Sequence, residues 1–308
     1  VFGNITRITV TMVNVTAGKV LIEVNNYNYS VDINSNGIAT LDLTLPVGEY
    51  TPKAYYLGDL EHKASNSTGN KFEVIKLNTT MGITVKDIDY GKAANITVTI
   101  NNAATGYITI RINDTKSITL PIVEGKVNWI VPGLGADNYT VYANYSGDAK
   151  YNANETSKAF EVRKIAPEIT IDPVEVDGAT NATVIVHITP GTTGDISITV
   201  NNKNYTGTID ENGVARITVD VLPVGEYDIA ANYGGDKNYT NASAKLVKGL
   251  NVTKVDDYVM NVTAVDVKVG ENTTITVNVP KDATGNVTIW VNGTTAINTT
   301  IVNGVATF

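Results

Sequence analysis

NITVTINNAATGYITIRIN, from Asn95 to Asn113, decides the fold. Ile96, Val98 and Ile100 alternate with Asn95, Thr97 and Thr99. After a turn, Ile108, Ile110 and Ile112 alternate with Thr109, Arg111 and Asn113. Successive side chains of a strand point to opposite faces, so strict period two marks half-buried antiparallel strands. The same pattern extends on both sides. Ile83 and Val85 open a strand before it; Val127, Trp129 and Val131, then Tyr139, Val141, Ala143 and Tyr145, then Phe160 and Val162 form strands after it. About seven short strands in about 90 residues, with turn residues between them, predict an all-β sandwich of immunoglobulin-like architecture. No segment has a helical period.

The stretch belongs to a repeat. TAGKVLIEVN begins at Thr16, TGYITIRIN at Thr105, TGDISITVN at Thr193 and TGNVTIWVN at Thr284. LPVGEY ends at Tyr50, LGADNY at Tyr139 and LPVGEY at Tyr227. A third phrase, YYLGDLEH from Tyr55, NYSGDAKY from Asn144 and NYGGDKNY from Asn232, keeps the same step. Self-similarity at a fixed period of about 90 residues means an array of one small domain. The expected division is 1–75, a repeat lacking its first strand; 76–164 and 165–254, two complete repeats; and 255–308, a repeat lacking its last strands. Short junctions, one stiffened by Pro167, predict an extended, semi-rigid rod. The two incomplete repeats are read as a window cut from a longer array, or as open ends completed by strand addition from a neighbouring chain.

Composition narrows the function. Hydrophobic residues make up 43% of the chain, too many for a disordered one. The formal net charge of −8 argues against a nucleic-acid partner or an anionic membrane surface, both of which need a basic face. There is no cysteine, hence no disulfide or thiolate metal site, and no apolar run long enough for a membrane-spanning helix. Val1 opens the chain without a signal-like segment, so a signal is expected to have been removed or to lie outside this piece.

Turn chemistry fits the strands. Asn36-Gly37, Asn212-Gly213 and Asn303-Gly304 stand at one place in three repeats, with Glu124-Gly125 in the second, and predict tight hairpins. Tyr50, Tyr139 and Tyr227 each follow a turn and open the next-to-last strand, where a sandwich places a tyrosine corner. Val141 and Ile229 occupy the place of an antibody-domain cysteine, and Trp129 is read as a core residue.

The strongest chemical signal is Asn-X-Ser/Thr. Twenty of the 35 asparagines head such a sequon: Asn4, Asn14, Asn28, Asn66, Asn78, Asn95, Asn113, Asn138, Asn144, Asn154, Asn181, Asn204, Asn238, Asn241, Asn251, Asn261, Asn272, Asn286, Asn292 and Asn298. Chance pairing would give roughly seven. Asn is disfavoured inside strands, yet Asn95 with Thr97, Asn272 with Thr274 and Asn286 with Thr288 fall on outward positions of the alternation. Several sequons are expected to carry N-glycans once the chain is secreted.

Other candidates read as structure. DINSNG from Asp32 to Gly37 opens like a calcium loop but has Leu43 at the twelfth position, so a plain turn is expected. The loops at Asp59, Asp148 and Asp236 could bind a ligand at one end of the sandwich; a turn with aromatics packed over it is the simpler reading. His62 lies in a loop and His187 on an outward position, and no catalytic or phosphate-cradling motif is present. A Lys–Asn amide crosslink would need a buried acid, and the inward positions carry none. An exposed aromatic platform for glycans has one candidate, Trp290. The expectation is therefore no enzyme, no cofactor and no metal.

The LPVGEY, YTVYANYSGDAKYNAN and TG-x-I-T-I-x-V-N phrases resemble the bacterial immunoglobulin-like repeats of large surface proteins. The Asn- and Thr-rich, low-charge composition resembles the adhesin-like proteins of methanogenic archaea. The resemblance implies an extracellular, cell-surface stalk that supports adhesion. Its partners would be further copies of the repeat, in cis or in trans, and other cells or surface glycans. The alternative is a subunit of an extracellular filament or cell-envelope layer.

Overall fold

The computed structural model describes residues 1–113, 116–178, 180–293 and 295–308. It is built of strands, in two compact units, Val1–Ile165 and Ala166–Phe308.

The first unit opens with β1 (Thr6–Thr11), β2 (Lys19–Val24), β3 (Tyr27–Asp32), β4 (Ile38–Leu43), β5 (Gly48–Tyr50), β6 (Lys53–Tyr56), β7 (Ser65–Thr68) and β8 (Phe72–Val74). It continues with β9 (Met81–Thr84), β10 (Ile88–Asp89), β11 (Ala94–Ile100), β12 (Tyr107–Ile112), β13 (Lys116–Pro121), β14 (Lys126–Val131), β15 (Asp137–Tyr145) and β16 (Asn154–Arg163). The second unit holds β17 (Ile169–Ile171), β18 (Val174–Asp177), β19 (Ala182–Ile188), β20 (Asp195–Val200), β21 (Lys203–Thr208), β22 (Val214–Val219), β23 (Gly225–Tyr233) and β24 (Ala242–Thr253). Its last repeat has β25 (Asn261–Ala264), β26 (Ile275–Asn278), β27 (Asn286–Val291), β28 (Thr295–Thr300) and β29 (Val305–Thr307).

The second and third repeats share one topology. Each packs a five-stranded sheet, β10-β16-β15-β12-β13 or β18-β24-β23-β20-β21, against a three-stranded one, β14-β11-β9 or β17-β19-β22. The alternation seen in sequence fills the space between. Ile96 and Val98 from β11 meet Ile108, Ile110 and Ile112 from β12 and Val141 and Ala143 from β15, all essentially inaccessible. Val141 and Ile229, at the places of the missing cysteines, are fully buried, and Trp129 packs half-buried against the same core. Burying side chains of this size contributes about 1.5–3 kcal/mol each, which makes a cysteine-free core sufficient.

Asn303-Gly304 closes the expected tight turn, with Val302 and Val305 exchanging backbone hydrogen bonds at 2.9 and 3.1 Å, but Asn36-Gly37 and Asn212-Gly213 do something else. Strand β3 pairs with β2 and β4 with β1, so Asn36-Gly37 carries the chain from one sheet to the other instead of closing a hairpin. Asn303 and Gly304, like Glu124 and Gly125, are consecutive left-handed residues; at 36–37 and 212–213 only the glycine is left-handed. Asn34 and Asp210 close those two loops instead: their Oδ1 atoms accept from Asn36 and Ile38, and from Asn212 and Val214, at 2.9–3.0 Å. The glycine is needed for space as well. A Cβ at Gly213 would lie 2.2 Å from the Ile188 carbonyl oxygen, and one at Gly37 2.6 Å from that of Met12. The two-residue turns that join β2 to β3 and β20 to β21 are made by Asn25-Asn26 and Asn201-Asn202, with φ of 47–62° at all four residues. Asn tolerates that region better than most residues with a side chain.

One difference between the first repeat and the second breaks a strand. Pro52 stands where Val141 stands, and proline has no N–H for the ladder. The strand that is continuous as β15 is broken there into β5 and β6, and its partner into β7 and β8. In the last repeat the described strands form a three-stranded sheet, β25-β26-β29, and the hairpin β27–β28.

Candidate functional site

Three features stand out: a lock joining the repeated phrases, the way each repeat closes, and the distribution of the sequons.

The TG and GD phrases meet in space. Asp148 Oδ2 accepts from the Thr105 N–H and hydroxyl at 2.8 and 3.0 Å, while Oδ1 accepts from the Lys150 and Tyr151 N–H groups at 2.7 Å. The Tyr145 hydroxyl donates to the Thr105 carbonyl at 3.0 Å. The third repeat reproduces this: Asp236 takes Thr193 N–H and hydroxyl at 2.9 and 3.1 Å and the Asn238 and Tyr239 N–H groups at 2.7 and 2.8 Å, and Tyr233 donates to Thr193 O at 3.0 Å. Partial burial opposes ionisation of both aspartates, but these donors outweigh it. They hold Asp148 well below the usual carboxylate range and Asp236 at about 2. Burial, and the carboxylate beside it, push Tyr145 and Tyr233 up to about 12. In the first repeat Asp59 holds instead the Tyr56 hydroxyl at 2.6 Å, the Glu61 and His62 N–H groups, and the His62 ring at 3.0 Å; those hydrogen bonds, led by Tyr56, depress its pKa strongly. Each loop aspartate thus spends its acceptors within its own domain, as a turn does.

The predicted corner tyrosines lie toward the other end of the same stretch of chain, near the start of the next-to-last strand. Tyr50, Tyr139 and Tyr227 donate to the carbonyls of Pro46, Gly135 and Pro223, four residues upstream, at 2.8, 3.1 and 2.6 Å. The rings of Tyr50 and Tyr139 pack on Phe72 and Phe160 at 5.6 Å.

The closing strands pair in parallel. β10 runs beside β16 with Ile88 opposite Val162 and Asp89 opposite Arg163. Asp89 and Arg163 add an ion pair at 2.9 Å, and Tyr90 N–H donates to Arg163 O at 2.8 Å. β18 beside β24 is longer, running from Val174 opposite Leu250 to Asp177 opposite Thr253. In the first repeat the corresponding contact is one bond, Phe2 N–H to Ile75 O at 2.8 Å. Because these strands are parallel, the entry of a repeat and its exit lie at opposite ends of the pair.

Eleven sequon asparagines stand in strands: Asn28, Asn66, Asn95, Asn138, Asn144, Asn154, Asn204, Asn251, Asn261, Asn286 and Asn298. Asn181 and Asn241 immediately precede strands. Asn272 lies ahead of β26 instead of within a strand, and it is exposed. No sequon asparagine is buried, and four are half-buried: Asn113, Asn154, Asn238 and Asn251. The glycan-accepting nitrogens of Asn154 and Asn251 are engaged. Asn154 Nδ2 donates to Thr79 O at 2.7 Å and Asn251 Nδ2 to Glu175 at 3.3 Å. The Thr115 and Thr294 that complete the sequons of Asn113 and Asn292 lie outside the described residues.

His62 pairs with Asp59, and His187 Nε2 lies 3.0 Å from Asp172. Among the described residues no group of three or more His, Cys, Asp or Glu could hold a metal, and Thr192 is the one polar residue in the buried core. No helix among them is long and apolar enough to cross a membrane. Trp290 is two-thirds exposed on the hairpin β27–β28.

Two packed, largely antiparallel sheets with a corner tyrosine and no cysteine define an immunoglobulin-like module used in tandem. The chain belongs to the bacterial Ig-like domain (group 3) family, whose model matches residues 81–163 and 169–253. No curated protein matches it. Similar solved structures include one from a study of host cell surface retention of a 1.5-MDa bacterial ice-binding adhesin, at 14% identity and a TM-score of 0.30, over 82% of this chain and 92% of that one. The I9–I11 tandem of titin is 13% identical with a TM-score of 0.26, over 82% and 95%. The fibronectin(III)-like modules of Clostridium thermocellum CbhA are 13% identical with a TM-score of 0.24, over 57% and 95%. All three are distant likenesses, and none bears on function.

Proposed function

We propose that this chain is a non-catalytic, N-glycosylated stretch of extracellular stalk in an archaeal adhesin-like surface protein, built to transmit tension. The observation that carries this reading is the parallel pairing of the second strand with the last in the second and third repeats. Tension along the array pulls the N-terminal end of β18 one way and the C-terminal end of β24 the other. The pair then slides in shear, and its hydrogen bonds are loaded together instead of one after another. The Asp-Thr lock and the corner tyrosine fasten the loops at the sandwich ends, where the chain would otherwise begin to peel. Exposed sequons and outward threonines support a surface shielded by carbohydrate. Further copies of the repeat, other cells and surface glycans are the partners this reading allows.

Brief proteolysis of intact cells, followed by mass spectrometry of the released peptides, tests the placement. The reading expects peptides from these repeats among the shed material, with hexose-containing mass increments at exposed sequons such as Asn95 and Asn181. Recovery of the chain only after lysis, with every sequon unmodified, contradicts it.

A further inference from the structure

One position on the outer face of the five-stranded sheet changes from repeat to repeat. In the third repeat, β20 and β23 place Thr199 opposite Ala230. In the first, β2 and β6 place Glu23 opposite Lys53, an ion pair at 3.6 Å. In the second, β12 and β15 place Arg111 opposite Tyr142, with the guanidinium carbon 4.5 Å from the ring centroid. Two residues beyond Tyr142, on the same outward face, stands the sequon asparagine Asn144. Its counterparts are Tyr55 in the first repeat and Asn232, followed by Tyr233 and Gly234, in the third, and neither heads a sequon. The Arg–Tyr pair and the sequon therefore occur together, in one repeat.

The face around them is an open groove of about 560 Å³, lined among others by Thr109, Arg111, Tyr142, Asn144, Glu155 and Ser157. Asn144 lies opposite Thr109 on one side and Glu155 on the other. This inventory suits a saccharide. The C–H faces of a pyranose ring pack on an aromatic ring, while hydroxyls, a carboxylate and a guanidinium exchange hydrogen bonds with the sugar hydroxyls. Residues i and i+2 of a strand are roughly 7 Å apart on one face, and the first sugars of a glycan bonded to the Asn144 amide nitrogen come within reach of the Tyr142 ring.

We propose that the groove on β12, β15 and β16 is the docking site of the N-glycan carried by Asn144, with Tyr142 as the stacking platform and Arg111 and Glu155 as the polar clamps. The inference rests on the N-glycosylated reading of the chain and adds to it a defined seat: at this sequon the carbohydrate lies along the sheet as part of the second repeat, instead of standing free in solvent.

The test uses four forms of the full chain secreted from an N-glycosylating host: unaltered, Ser146→Ala, Tyr142→Ser, and the two combined. Ser146→Ala removes the hydroxyl that glycan transfer requires and leaves the groove lining intact. Glycopeptide mass reports occupancy of Asn144, and amide hydrogen exchange reports protection of β12 and β15. Docking predicts that Ser146→Ala speeds exchange in these strands about twofold to tenfold, the scale of one aromatic contact, in the unaltered background and has no effect beside Tyr142→Ser. Arg111→Ser provides the same cycle should Tyr142→Ser fail to fold. An occupied Asn144 with equal effects in both backgrounds, or none in either, overturns the docking and leaves the glycosylation reading standing. A bare Asn144 overturns the docking as well, and the glycosylation reading falls with it only if the other sequons are bare too.

Discussion

Replacing Asp148 by Asn tests whether the lock between the repeated phrases holds the second repeat together. The carboxylate takes two N–H donors on Oδ1, and an N–H and a hydroxyl on Oδ2. An asparagine oxygen can keep one pair of donors; its NH₂ then faces the other pair and cannot accept from it. Hydrogen bonds to a charged group contribute about 1.5–3 kcal/mol each, and an unsatisfied donor costs about 1–3 kcal/mol where it is buried. Asp148 is partly exposed, so water recovers part of the loss, and a cost of about 2–3 kcal/mol is expected for the variant. Trp129 reports on this repeat, because it packs against the core that the lock closes. In a Trp290→Phe background its fluorescence follows urea unfolding of the second repeat alone. With a slope of about 1 kcal/mol per molar for a domain of this size, the midpoint falls by about 2–3 M at pH 7. The pH dependence carries the sign. The folded carboxylate is depressed and the unfolded one is not, so the stabilisation is complete above the ordinary carboxylate range near pH 4 and is lost as pH falls below it. The difference between wild type and Asp148→Asn must therefore shrink on acidification below about pH 4. A midpoint shift under about 0.5 M, or a difference that stays constant from pH 7 to pH 3, refutes the reasoning.

Three further outcomes follow from the geometry. Gly213→Ala places a methyl 2.2 Å from the Ile188 carbonyl oxygen at φ +77°, whereas Gly194→Ala, at φ +95°, meets open space; the first should lower the third repeat's stability by more than the roughly 1 kcal/mol of backbone strain expected of the second, as read by chemical denaturation. Tyr227→Phe removes the 2.6 Å bond to Pro223 O and should cost about 1 kcal/mol, seen as a lower melting temperature. Glycopeptide mapping should find Asn95 and Asn181 modified and Asn154 bare, since Asn154 spends its amide nitrogen on Thr79 O.

The sandwich was legible because its core strands alternate without error: every apolar side chain of Ile96–Ile100 and Ile108–Ile112 is inside. β13 escaped because its Ile118 and Leu120 are only half-buried at a sheet edge, and β10 because two residues carry no periodicity. The Asn-Gly signal held for the local turn at Asn303-Gly304 and misled at Asn36-Gly37 and Asn212-Gly213. A short turn in sequence cannot reveal that the strands on its two sides pair elsewhere, and the hairpins β2–β3 and β20–β21 used Asn-Asn. The Asp-Thr lock was present as two repeated phrases 43 residues apart, and nothing local joined them. The parallel closing pair joins residues about 75 apart and was beyond any local pattern.

The central claim is that tension is resisted by the parallel pair at the edge of each sheet. Single-molecule extension of the full chain, held at its two ends, tests it most directly, with Val176→Pro as the variant that interrupts β18. Each complete repeat should release roughly 300 Å of contour on unfolding, and the third, with four register pairs against two in the second, should yield at the highest force. Val176→Pro should remove that highest-force event and leave the second repeat's unchanged. If the highest-force event survives the substitution undiminished, the parallel pair is not what bears the tension.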